Sequence, residues 1–107
     1  MTTQDDYDAR VRAHDEYIER LEAQIAHWNA EIDRVENEAR EVDGDEDVRS
    51  RYARRLSTMR MQRERMREHV REVREYGIEA YEDLRDHIDE EWQVMAQTFD
   101  EAAGKAD

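Results

Sequence analysis

The residues of this chain that could bind a metal or transfer protons are its 4 histidines and its 30 aspartates and glutamates. Carboxylate-bridged metal sites in helical proteins use a Glu-x-x-His pair on each of two helices. None of the four histidines has an acidic residue three positions before it, and no His-x-x-x-His pair occurs: His14, His27, His69, His87. We therefore predict no metal site and no cofactor, with most carboxylates on solvated helix faces.

Residues for nucleophilic catalysis are equally scarce. The chain has no cysteine, and its two serines, Ser50 and Ser57, lack the glycine-flanked turn that exposes a catalytic serine. Its three glycines form no phosphate-binding loop. We therefore predict that the protein is not an enzyme and has no catalytic residues.

The longest regular feature is an apolar seam over residues 7–42, with alternating gaps of four and three. Such a heptad seam is typical of a helix that packs along another helix. It predicts a first helix over about residues 4–42. The seam residues are Tyr7, Val11, His14, Ile18, Leu21, Ile25, Trp28, Ile32, Val35, Ala39 and Val42.

An acidic turn follows at residues 43–47. Gly44 can adopt the left-handed conformation that ends a helix, and Asp45 or Asp47 can cap the next one. The turn does not match an EF-hand, because the positions that require glycine and glutamate hold Val48 and Arg54. We predict a plain turn and a second helix over about residues 48–103, with a possible break near residue 77.

Charge is segregated along the chain. Residues 49–74 hold 10 arginines and 3 acids, whereas the segments on either side are strongly acidic. Folding at Gly44 into an antiparallel helical hairpin brings together residues whose numbers sum to about 90. The basic stretch then lies beside the acids of residues 16–41, as flanking charges in a coiled coil require.

The second helix is longer than the first, so an apolar stripe near the C-terminus extends beyond the hairpin. Exposure of this stripe to water is unfavourable, so we predict a homodimer that forms a helical bundle, with a three-helix bundle of one chain as the alternative. The stripe comprises Ile88, Trp92, Met95 and Phe99. Within the hairpin, Arg63 faces Trp28, and we predict a cation–π contact. These six are the predicted interaction residues.

The net charge of −13 disfavours nucleic acid and anionic membranes as partners. The arginine stretch is matched by an acidic helix of the same chain, and no apolar run reaches membrane-spanning length. The N-terminus is polar and acidic, which predicts no secretory signal and a cytoplasmic location.

Two segments resemble a family of small bacterial coiled-coil proteins identified as stress-response proteins. One is L-E-A-Q-I-A-H-W-N-A-E-I-D at residues 21–33, and the other is A-Y-E-D-L at residues 80–84 with Trp92. Tyr81 stands where that family usually has tryptophan. The resemblance implies a helical hairpin without a cofactor, and a role in stress tolerance.

These observations predict a non-enzymatic coiled-coil protein that acts through protein–protein contacts with an unidentified partner. The alternative is a peripheral lipid-surface or chaperone-like protein that uses the apolar stripe near the C-terminus.

Overall fold

In the computed structural model the chain is all-helical, and the structure describes residues 3–42 and 44–104, with side chains from Asp5 onward. Three helices follow in order: α1 (Thr3–Glu41), α2 (Glu46–Glu75) and α3 (Ile78–Ala103). The described residues contain no β-strand. This confirms the predicted all-α class. The described part of the chain is elongated, measuring 66 × 25 × 20 Å.

The connection between α1 and α2 contains the predicted acidic turn, of which Asp43 lies outside the described residues. The Asp45 carboxylate caps α2 by accepting a hydrogen bond from the Val48 backbone N–H at 3.1 Å. The left-handed conformation suggested for Gly44 stays a prediction, because its φ angle includes a backbone atom of Asp43, outside the described residues. Gly44 is suited to close packing, because a Cβ there would lie 2.8 Å from Val42 and 2.9 Å from Val48.

The second helix is not continuous: the range of about residues 48–103 predicted for it, with a possible break near residue 77, contains two helices. It ends at Glu75, and α3 begins at Ile78, so the break lies at the position where the sequence allows one. Tyr76 has φ −68° and ψ 135°, and Gly77 has φ −68° and ψ 167°. Both residues are extended, and this conformation turns the chain back along α2.

Ion pairs show how α1 and α2 lie together. Arg60 pairs with Glu36 and Arg74 pairs with Glu22, so residue numbers rise in one helix as they fall in the other. The basic stretch therefore lies beside the acidic part of α1. These pairs are exposed, so each is worth only about 0.2–1 kcal/mol and acts mainly on register.

The C-terminus of α3 is fixed by two arginines. Arg55 donates hydrogen bonds to the carbonyl oxygens of Ala102 (2.8 Å) and Ala103 (3.1 Å), and Arg34 donates to Ala103 at 3.2 Å. Carbonyls in the last turn of a helix have no partner within the helix and carry partial negative charge, so guanidinium groups suit them. At the other end of the molecule, Arg10 pairs with Glu82 at 2.7 Å.

The core is a single cluster to which all three helices contribute. Because α3 returns along α1 and α2, its apolar stripe is covered by the same chain. The fully buried Trp28 and Phe99 rings stack, with their centroids 4.3 Å apart and their planes 5° from parallel. The largest fully buried side chains are Trp28, Phe99, Leu21, Ile32, Met59, Met66, Val35 and Val73.

Candidate functional site

An open groove of about 530 Å³ runs between α2 and α3, and we call it the α2–α3 groove. Four carboxylates line it and one guanidinium faces them, so its charge is predominantly negative. Its apolar surface comes from Met95 and from Val94, which is 64% exposed. The lining residues are Arg65, Glu68, His69, Glu72, His87, Glu90, Glu91, Val94 and Met95.

Glu91 connects two histidines in this groove. Its Oε1 lies 2.8 Å from Nε2 of His87, one turn earlier on α3, and its Oε2 lies 3.4 Å from Nδ1 of His69 on α2. His87 is exposed, whereas His69 is 4% exposed. One carboxylate therefore links an exposed histidine to a buried one across the helix interface.

Burial keeps His69 neutral. Desolvation lowers the pKa of His69 below its usual value of 6.5, and the nearby carboxylates of Glu91 and Glu72 oppose this shift without cancelling it. The His69 Nε2 is buried without a hydrogen-bond partner. A proton there would place an unsatisfied donor in the core, which is unfavourable. The neutral ring therefore holds its proton on Nδ1, facing Glu91.

The groove can bind better than it can catalyse. The histidine–carboxylate arrangement could move a proton, but none of the residues that line the groove is a serine, threonine, cysteine or tyrosine. Among the described residues, no group of three or more His, Cys, Asp or Glu side chains is arranged to hold a metal ion. Its carboxylates and apolar rim suit a ligand that is both cationic and apolar.

A second cluster of polar aromatic groups lies between α1 and α3. The ring centroids of His14 and Tyr81 are 4.9 Å apart. The centroid of the Tyr17 ring lies 5.6 Å from that of Tyr81 and 6.2 Å from that of Trp92. His14 Nε2 donates to the Val73 carbonyl oxygen at 2.8 Å, since that oxygen can only accept. The histidine is thus held by the backbone of α2.

The two tyrosines of this cluster are kept protonated. Burial raises the pKa of Tyr17 above its usual value of 10, and the neighbouring Asp89 carboxylate acts in the same direction. Burial also raises the pKa of Tyr81. Neither phenol is activated as a nucleophile, and the side chains of this cluster are largely covered. We therefore interpret it as part of the core.

No protein-family model matches this chain, and no curated protein or solved structure resembles it significantly. The resemblance to stress-response proteins accordingly depends only on the residues quoted for it. Within the described ranges, none of the helices is both long and apolar enough to cross a lipid bilayer.

The structure places five of the six predicted interaction residues in or against the core. Trp28, Ile88, Met95 and Phe99 are buried, and Trp92 is partly buried. Met95 alone of these also lines the α2–α3 groove. Both the predicted dimer contact and the lipid-surface alternative require the apolar stripe to be exposed. In this structure the stripe is covered by the rest of the same chain.

Arg63, the sixth predicted interaction residue, does not contact the face of Trp28. Its Nη1 donates to the Asn29 side-chain oxygen at 3.1 Å, and the Trp28 face is occupied by Phe99. The cation–π contacts that the described residues do make are Arg20 with Tyr17 and Arg55 with Tyr52. The predicted Arg63–Trp28 cation–π contact is wrong because Arg63 binds Asn29 instead, and the ring that stacks on Trp28 is Phe99 of α3.

Sequence reasoning missed the α2–α3 groove, because it depends on α3 folding back. His69 and Glu91 are 22 positions apart, and no local motif joins them. One signal was present: His87 and Glu91 are four positions apart and share a helix face.

Proposed function

We propose that this protein is not an enzyme and acts through protein–protein contacts, with the α2–α3 groove as the surface that receives its partner. The proposed occupant is a segment of another protein that carries lysine or arginine together with a large apolar side chain. The observation that supports this proposal is the open groove, in which carboxylates from two helices surround an exposed valine.

The charge arrangement of the chain explains why this groove is available. Elsewhere on α2, Arg60 and Arg74 are paired with acids of α1. In the groove, Glu68 and Glu90 are exposed on opposite walls, and no ion pair joins either of them to a described residue. A basic segment would pair with these carboxylates without displacing an internal partner, and Val94 would be covered by its apolar side chain.

Binding of a designed peptide tests the proposal directly. The probe is a 14-residue helical peptide of leucine and lysine with one apolar face, and its matched control has glutamate in place of lysine. We expect micromolar binding of the lysine peptide by calorimetry, weakening with added salt because the charges are partly exposed. The glutamate peptide should not bind.

Charge reversal locates the site. Glu68→Lys with Glu90→Lys should weaken binding about tenfold, which corresponds to about 1.4 kcal/mol from two reversed contacts. Asp15→Lys with Asp33→Lys changes the net charge equally on exposed positions of α1 and should leave affinity unchanged. Equal weakening by both double variants would show general charge attraction and would refute the groove as the site.

We further propose that this contact serves stress tolerance, the role implied by the resemblance. In the native organism, loss of the gene should reduce survival under stress. The Asp15→Lys, Asp33→Lys protein should restore survival, and the Glu68→Lys, Glu90→Lys protein should not. Restoration by both would separate any stress role from the groove.

A further inference from the structure

Nothing in the local backbone forbids a continuous helix across the connection between α2 and α3. Neither Tyr76 nor Gly77 has the positive φ that would forbid helical continuation, and the chain contains no proline. A Cβ added to Gly77 would meet no atom within 4 Å. Each residue needs essentially one change, in ψ, to become helical, because φ is already −68° in both.

The start of α3 is also weakly fixed. Its N-cap residue is Gly77, and no side chain caps it. Backbone groups at an uncapped helix start lose the hydrogen bonds that a continuous helix would provide. The return of α3 is therefore maintained by contacts made further along the helix, through its buried face and its capped C-terminus.

Those contacts can equally be made by an identical α3 from another molecule. The buried face of α3 comprises Tyr81, Ile88, Met95, Phe99 and Ala103. If α2 and α3 joined into one helix, this face would point away from its own α1 and leave Trp28 exposed. A second chain opened in the same way presents the complementary surfaces, so each chain can complete the core of the other.

We propose that a second copy of this chain is a binding partner, and that the two copies associate by exchanging α3. In the exchanged dimer, α2 and α3 form one helix from Glu46 to Ala103. The α2–α3 groove is then shared, with His69 from one chain and His87 and Glu91 from the other. Exchange converts two turns into helix, which is favourable, but association of two chains costs translational and rotational entropy. The fraction of dimer therefore rises with protein concentration.

Two substitutions at residue 77 separate the compact chain from the exchanged dimer. Gly77→Ala fits the existing backbone and favours a helix. Each exchanged dimer contains two joined helices and therefore two such alanines. We expect the dimer association constant to rise roughly 15- to 30-fold. Gly77→Pro also fits the compact chain, because φ is −68°, Tyr76 is extended, and no backbone hydrogen bond from the Gly77 N–H occurs.

Proline within a continuous helix would lose a hydrogen bond and clash with the preceding turn, so Gly77→Pro should weaken the dimer more than 100-fold. Sedimentation from 10 µM to 1 mM measures the association constants of the wild type and both variants. Circular dichroism at the lowest concentration checks that each variant is folded. Small-angle scattering of the dimer should show a length of about 87 Å or more, the length of the joined helix, against 66 Å for the compact chain.

The proposal is overturned if the alanine and proline variants dimerise to the same extent, or if neither dimerises at 1 mM. It is also overturned if the Gly77→Ala dimer has no dimension longer than the compact chain, because its copies would then associate by their surfaces. These outcomes do not depend on peptide binding in the groove.

Discussion

Phe99→Ala provides the most direct test of the packing of α3. Phe99 is fully buried, and its ring stacks on the fully buried Trp28 of α1. Truncation of a buried phenylalanine costs about 3–5 kcal/mol, and an aromatic pair contributes about 0.5–1.5 kcal/mol beyond its buried area. We expect a loss of about 4 kcal/mol, a large share of the roughly 5–15 kcal/mol typical of a native domain.

Urea unfolding followed by far-ultraviolet circular dichroism measures this loss at low micromolar concentration. With a slope of about 2 kcal/mol per molar urea, the midpoint should fall by about 2 M. The control is Val94→Ala, on the same helix but 64% exposed, which should change stability by no more than about 0.5 kcal/mol. A loss below about 1 kcal/mol for Phe99→Ala would refute the assignment of α3 to the core.

Three further predictions follow from other contacts. Folding lowers the pKa of His69, so the unfolded chain binds more protons at that residue than the folded chain does. The free energy of unfolding should therefore fall as the pH drops below about 6.5, and this fall should end once the pH is below the folded-state pKa. Urea titrations at several pH values should show that His69→Phe removes this part of the pH dependence. Arg55→Ala should cost about 1–2 kcal/mol in the same assay, because hydrogen bonds from a charged group to the end of α3 are lost, whereas the exposed Arg54→Ala should cost less than about 0.5 kcal/mol. Gly104→Ala should cost about 1 kcal/mol, because residue 104 has φ 81°, and retention of full stability would argue against that backbone conformation.

The α1 seam could be predicted because a heptad pattern reports burial directly. Ile18, Leu21, Trp28, Ile32 and Val35 are all buried as that pattern requires. The seam omitted Tyr17, which is 2% exposed. A single seam describes a helix with one neighbour, whereas a helix that packs against two neighbours buries a wider stripe. Tyr17 lies beside the seam and faces α3.

A wider buried stripe also explains which residues of α2 are buried. Gln62 and His69 of α2 are buried, whereas Arg63, next to Gln62, is only partly covered. Prediction of these residues required knowledge that α3 returns along α2. The local signal for that return was weak, because the single Gly77 costs a helix only about 1 kcal/mol. The break is determined by distant apolar contacts, which periodicity along the sequence does not report.

The placement of the two tryptophans makes the chain its own optical reporter. Trp28 touches Phe99 of α3, and Trp92 of α3 touches Tyr17 of α1, so both indole rings monitor the same pair of helices. Release of α3 would expose both indole rings to water and shift their fluorescence emission to longer wavelength. The circular dichroism of α1 and α2 would remain helical. Local opening could thus be distinguished from complete unfolding without attaching any dye.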